Sequence, residues 1–122
     1  MRILIIDDET LIRQSLKYIS ELRGYQTWTA GTGEEGLSLW KSCQPDIVFL
    51  DLILPDQNGF KVMEQQPHPA QIIMMSAYAQ YKEEAKKRKA NLFLIKPFEN
   101  IFQTFDQVLQ ELRPNAGSEL NL

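Results

Sequence analysis

Five short runs rich in β-branched, aliphatic or aromatic residues recur along this chain, at 2–6, 26–30, 47–50, 72–75 and 92–95. Runs this short suit strands, and the continuous apolar character of most of them suits strands buried on both faces. Between them the apolar residues return at three- and four-residue steps, which is the period of a helix lying on a core. Strands that alternate with helices are joined by crossovers, so the sheet is expected to be parallel with helices on both faces. The predicted class is α/β, a doubly wound five-stranded sheet in the flavodoxin-like order 2-1-3-4-5.

The first helix is expected over 11–22, with Ile12, Leu16, Ile19 and Leu22 inward and Gly24 as a stop signal. A second over 34–42 turns Leu37 and Trp40 inward and ends at Gln44-Pro45. Turn chemistry over 54–59 precedes a short helix at 60–65. Gln66-Pro67-His68-Pro69 cannot be helical throughout. A charged helix is expected over 80–89, with Asn91 suited to the left-handed position after it. The last helix lines up Ile101, Phe105, Val108, Leu109 and Leu112. The 122 residues suffice for one domain, expected over 1–113, with 114–122 a tail or the start of a linker.

Composition removes several function classes. Thirteen basic against sixteen acidic residues leave a net charge of -3, which argues against direct nucleic-acid binding by the domain as a whole. The single cysteine, Cys43, has no partner for a disulfide or a metal cluster, and a reducing cytoplasm is the expected location. The opening apolar run is too short for a signal segment or a membrane span, so no membrane contact is expected.

The residues just past the strands carry the chemistry, because ligands of such sheets bind outside the carboxyl ends of the strands. The first run ends in Asp7-Asp8, the third in Asp51, the fourth in Ser76 and the fifth in Lys96. Carboxylates crowded on one edge either take up protons or recruit a cation, and an all-oxygen set suits Mg²⁺. A lysine and a hydroxyl beside them can hold an anion of distributed charge such as a phosphoryl group. Asp51, on the central strand, is the candidate nucleophile.

Taken together, Ile5-Ile6-Asp7-Asp8-Glu9, Asp51-Leu52-Ile53-Leu54-Pro55 with Gly59, Met75-Ser76-Ala77-Tyr78 and Lys96-Pro97-Phe98 resemble the receiver domain of bacterial two-component response regulators. The resemblance implies that Asp51 accepts a phosphoryl group from a histidine kinase or a histidine phosphotransfer protein. It implies Mg²⁺ ligated by Asp8, Asp51 and the Ile53 carbonyl, with Asp7 acting mainly through a water. Lys96 and Ser76 would bind phosphoryl oxygens, the Lys96-Pro97 bond would be cis, and Phe93 would turn inward as the switch aromatic. The face made by the fourth helix, fifth strand and last helix would then change shape and meet a second copy or an output domain. The domain would be a phosphoacceptor that assists its own phosphorylation and dephosphorylation rather than an enzyme with turnover.

Rival readings exist. Gly31-Thr32-Gly33-Glu34-Glu35-Gly36 spells a dinucleotide fingerprint, but Glu34 and Glu35 would oppose the pyrophosphate at the helix start, and the glycines read as turn and cap residues. An aspartyl-phosphate phosphohydrolase would carry a second Asp where this chain has Ile53. Asp7-Asp8 alone would serve as helix caps, His68 as an exposed loop residue, Cys43 as a half-buried thiol, and Trp28 and Trp40 as packing groups. Lys82, Lys86, Lys87, Arg88 and Lys89 read as a solvated face.

Overall fold

Ile3, Leu4, Ile5 and Ile6 are all fully buried, because β1 (Arg2–Ile6) runs through the middle of a sheet covered on both sides. The computed structural model describes residues 1–112, and the tail expected at 114–122 lies outside them. Four further strands, β2 (Gln26–Ala30), β3 (Ile47–Asp51), β4 (Gln71–Ser76) and β5 (Leu92–Ile95), pair in parallel in the order β2-β1-β3-β4-β5. The predicted class and strand order are those observed.

The helices are α1 (Thr10–Leu22), α2 (Gly33–Cys43), α3 (Gly59–Glu64), α4 (Lys82–Lys87) and α5 (Ile101–Leu112). Successive strand residues point to opposite faces, so the sheet feeds two cores. Leu4, Ile6, Val48, Leu50 and Met74 pack with Trp40 of α2, Val62 of α3 and Ala85 of α4. Ile3, Ile5, Phe49 and Met75 pack with Leu16 of α1 and Phe105 of α5, where Phe49 and Phe105 stack with centroids 5.8 Å apart. No helix among the described residues is long and apolar enough to cross a membrane.

Several local expectations are corrected. Leu22 is 56% exposed; α1 buries Leu16, Ile19 and Ser20, and the Ser20 hydroxyl meets that of Thr27 at 2.6 Å. Gly33 and Gly36 lie inside α2, whose cap is Thr32, its hydroxyl accepting from the Glu35 N–H. A Cβ on Gly36 would stand 2.5 Å from Ile6 Cδ1, so this glycine allows close packing of helix on strand. The charged stretch is a 3-10 turn at Ala79–Tyr81 followed by only six residues of α4. Lys89, with φ 69°, takes the left-handed position assigned to Asn91, closing α4 with an Ala90 N–H to Ala85 carbonyl bond. Asn91 instead starts the β5 ladder: its N–H donates to the Ile72 carbonyl and its Oδ1 accepts the Ile72 N–H, both at 2.8 Å.

Candidate functional site

The sheet ladder continues past the strand ends and delivers the polar residues to one edge. Asp7 N–H bonds the Ala30 carbonyl at 3.0 Å, Leu52 N–H that of Met75 at 2.9 Å, and Lys96 N–H that of Ser76 at 2.9 Å. Asp7, Asp51, Ser76 and Lys96 are therefore held by backbone pairing, and all four are buried, while Asp8 is exposed. β2 ends in Ala30 and contributes no ionisable group at its last position.

Asp7, Asp8 and Asp51 each offer a carboxylate oxygen within 4.8 Å of the others. The Lys96 ammonium sits among acids, 2.7 Å from Asp7 Oδ2, 2.8 Å from Glu9 Oε1 and 3.3 Å from Asp51 Oδ2. Asp7 Oδ1 accepts the Glu9 N–H, but the buried Oδ2 has no aligned hydrogen-bond donor among the described residues; its contact with Lys96 is an ion pair by distance alone. Three carboxylate oxygens this close together, two of them from buried residues, form an all-oxygen donor set that fits a hard cation such as Mg²⁺.

Burial first, and then the charge of Asp7, raise Asp51 from the ordinary carboxylate range to about 7, against the pull of Lys96 and of the Ile53 N–H 3.3 Å from its Oδ1. Burial alone would lower Lys96, but its contacts with Asp7 and Glu9, helped by Asp51, outweigh that and hold it above the ordinary lysine value. The ammonium stays charged and spreads its charge over three acids.

A cavity of about 270 Å³ opens over these groups, lined also by Glu9, Ile53, Ala77 and Tyr78. The Ser76 hydroxyl oxygen accepts the Tyr78 N–H at 3.0 Å, which leaves its proton to donate. Ile53 and Tyr78 are about half exposed at the mouth, and the Lys96–Pro97 peptide bond is cis. Phe93 is not in this cavity: it is half-buried on β5 and lines a separate groove with Lys82, Ala85 and Ala90. Glu9 is the residue that sequence reasoning missed. Only its place beside Asp7-Asp8 hinted at a role, and its partner is 87 residues away.

The rival sites do not form. The first amides of α2, where a pyrophosphate would bind, are taken by Asp56, and the Gly31 N–H is taken by Glu35. The reading of Asp7-Asp8 as caps is corrected too: the cap position of α1 is Glu9, which makes no side-chain cap and holds Lys96 instead, while the Asp7 carboxylate bonds the Glu9 amide. His68 is half-buried, its carbonyl accepting from Trp40 Nε1 at 2.8 Å. Cys43 is buried beneath the Leu39 carbonyl, and burial pushes its thiol up, away from reactivity.

Known proteins share this fold and much of this sequence. A family model described as the response regulator receiver domain matches residues 3–105. The chain is 37% identical over 105 residues to the chemotaxis protein CheY of Thermotoga maritima, covering 80% of this chain and 87% of that one. It is 37% identical over 128 residues to the sensory transduction protein LytT of Bacillus anthracis, spanning all of this chain but only 51% of LytT. The crystal structure of the Thermotoga maritima response regulator TrrA, in complex with Mg²⁺-BeF, superposes with a TM-score of 0.76 at 33% identity, covering 91% of this chain and 98% of that one. With strand order, acidic edge and sequence all agreeing, this chain belongs to the response regulator receiver domains of two-component signalling.

Proposed function

We propose that this receiver takes a phosphoryl group onto Asp51 from the phosphohistidine of a histidine kinase or a histidine phosphotransfer protein, with Mg²⁺ held by Asp7, Asp8, Asp51 and the Ile53 carbonyl. One observation carries the reading: a buried carboxylate, Asp51, lies within 4.8 Å of carboxylate oxygens from Asp7 and Asp8, and the Lys96 ammonium contacts both Asp7 and Asp51. An Asp51 oxygen attacks phosphorus in line, the phosphorus–nitrogen bond breaks, and the departing imidazole keeps the bonding pair and takes up a proton. Bound Mg²⁺ supplies charge neutralisation between the attacking carboxylate and the phosphoryl oxygens. Lys96 exchanges its Asp51 contact for a phosphoryl oxygen, and Ser76 donates its hydroxyl proton to another. Phe93 then packs inward, and the α4-β5-α5 face changes shape to meet a second copy or an output domain.

The domain, over 1–113 with 114–122 leading out of it, signals by retaining one phosphoryl group and assists its gain and loss; it has no substrate to turn over. It works in the cytoplasm, without membrane contact or direct nucleic-acid binding of its own. The test is intact mass after incubation with Mg²⁺ and a small acyl-phosphate donor. One phosphoryl group should be gained by the wild type and none by Asp51→Asn or in chelator. Gain that persists in Asp51→Asn would sink the assignment.

A further inference from the structure

The loop over 52–58 carries the Ile53 carbonyl, and the Ile53 N–H bonds Asp51, yet Ile53, Pro55, Asp56 and Asn58 are all exposed. Two devices keep it in shape. At its base, Gly59 N–H bonds the Leu52 carbonyl and Ile53 bridges to Asn58. At its tip, Asp56 reaches over to α2, where Oδ1 accepts the Gly33 N–H at 2.8 Å and Oδ2 accepts the Glu34 N–H at 2.9 Å. Both bonds are charge-assisted and lie at the positive end of an 11-residue helix, which strengthens them. Gln57 packs beside them in the space that a Cβ on Gly33 would fill, 2.7 Å from the Gln57 side chain. The glycine segment thus receives an anion, and that anion is a carboxylate of the same chain.

We propose that Asp56 is a positioning residue for the cation site: by clamping the 52–58 loop to the start of α2 it holds the Ile53 carbonyl and the Ile53 N–H where Asp51 and Mg²⁺ need them. This rests on the reading that Mg²⁺ binds at Asp7, Asp8, Asp51 and the Ile53 carbonyl. The clamp joins the two places through one short loop, so the coupling runs both ways: ordering the loop from the cation side tightens the Asp56 bonds, and breaking those bonds loosens the cation. Asp56 touches neither metal nor phosphoryl group. Its effect passes through backbone that a ligand must find already in place.

The test uses the full chain and Mg²⁺ alone. Calorimetric titration of wild type and Asp56→Asn is combined with amide hydrogen exchange at Gly33 and Glu34, with and without Mg²⁺. Asn keeps the shape but loses the charge and one acceptor oxygen. The variant is expected to bind Mg²⁺ about tenfold more weakly, the low end of what losing an outer support costs a metal site. In wild type, Mg²⁺ should slow exchange at both amides, and in Asp56→Asn that response should vanish. Equal Mg²⁺ affinity in the two proteins, or wild-type exchange at Gly33 and Glu34 indifferent to Mg²⁺, would overturn the proposal. The exchange response needs no variant and decides the matter if Asp56→Asn does not fold. A wild type that binds no Mg²⁺ would instead remove the metal reading, and this inference with it.

Discussion

The Glu9 carboxylate lies 2.8 Å from the Lys96 ammonium, closer than Asp51 at 3.3 Å, and it does so from the rim of the cavity with its side chain 57% exposed. An incoming phosphoryl group must therefore draw Lys96 away from Glu9 as well as from Asp51. Removing that charge also lessens repulsion of an anionic donor. Glu9→Gln is expected to take up phosphate from a small acyl-phosphate donor about two- to fivefold faster at low ionic strength, an effect the size of an exposed charge pair. The gap should close in high salt. A rate no faster than wild type at low salt would show that Glu9 does not compete for Lys96.

The pH dependence of stability follows from Asp51. Its carboxyl has an ordinary value of 3.8 when unfolded and about 7 in the Mg²⁺-free folded state, so between those limits the native protein binds more protons than the unfolded chain. Stability contributed by this group falls as pH rises through that window. In chelator, the melting temperature of wild type should drop from pH 4 to pH 7 relative to Asp51→Asn, which has no carboxyl to ionise there. At neutral pH, Mg²⁺ should restore wild type by binding only the folded form. Parallel profiles for the two proteins would contradict the raised value.

Gly59 sits where nothing larger fits. A Cβ there would meet the Asp51 carbonyl oxygen at 2.6 Å and Leu52 Cα at 3.0 Å, and backbone atoms cannot swing aside. Gly59→Ala is expected to cost about 1–3 kcal/mol. Gly31→Ala, whose new methyl would meet nothing nearer than Arg13 at 3.4 Å, should cost far less. Denaturant midpoints of the two variants check the contrast.

Trp40 is fully buried, and its ring N–H holds the His68 carbonyl at 2.8 Å, tying down the proline-flanked segment before β4. Trp40→Phe removes that donor and part of the ring. A loss of about 1–3 kcal/mol is expected in chemical denaturation, with hydrogen exchange in the 66–70 segment rising more than the global change explains.

Much of the fold was legible because its signals are local. Ile3 to Ile6 within β1 is a continuous apolar run of the kind that suits a strand covered on both faces, and Ile47 to Leu50 repeats the logic. Asp7, Asp51, Ser76 and Lys96 could be singled out because each closes or follows such a run, and parallel strands bring their carboxyl ends to one edge. Helix ends were less legible. The charge pattern over 80–89 has no apolar period strong enough to mark where helix begins, and the chain spends Ala79–Tyr81 in a 3-10 turn before six residues of α4.

What the sequence by itself determined is the order of strands and helices and the set of polar groups at the strand ends, since periodicity and turn chemistry act over a few neighbouring residues. Only the tertiary structure decided that Glu9 shares Lys96 across 87 residues, that Asp56 fills the start of α2 across 23, and that Phe93 stands apart from the cavity. Those relationships depend on how far each loop travels once the sheet has set its register, and a one-dimensional pattern carries no distance of that kind.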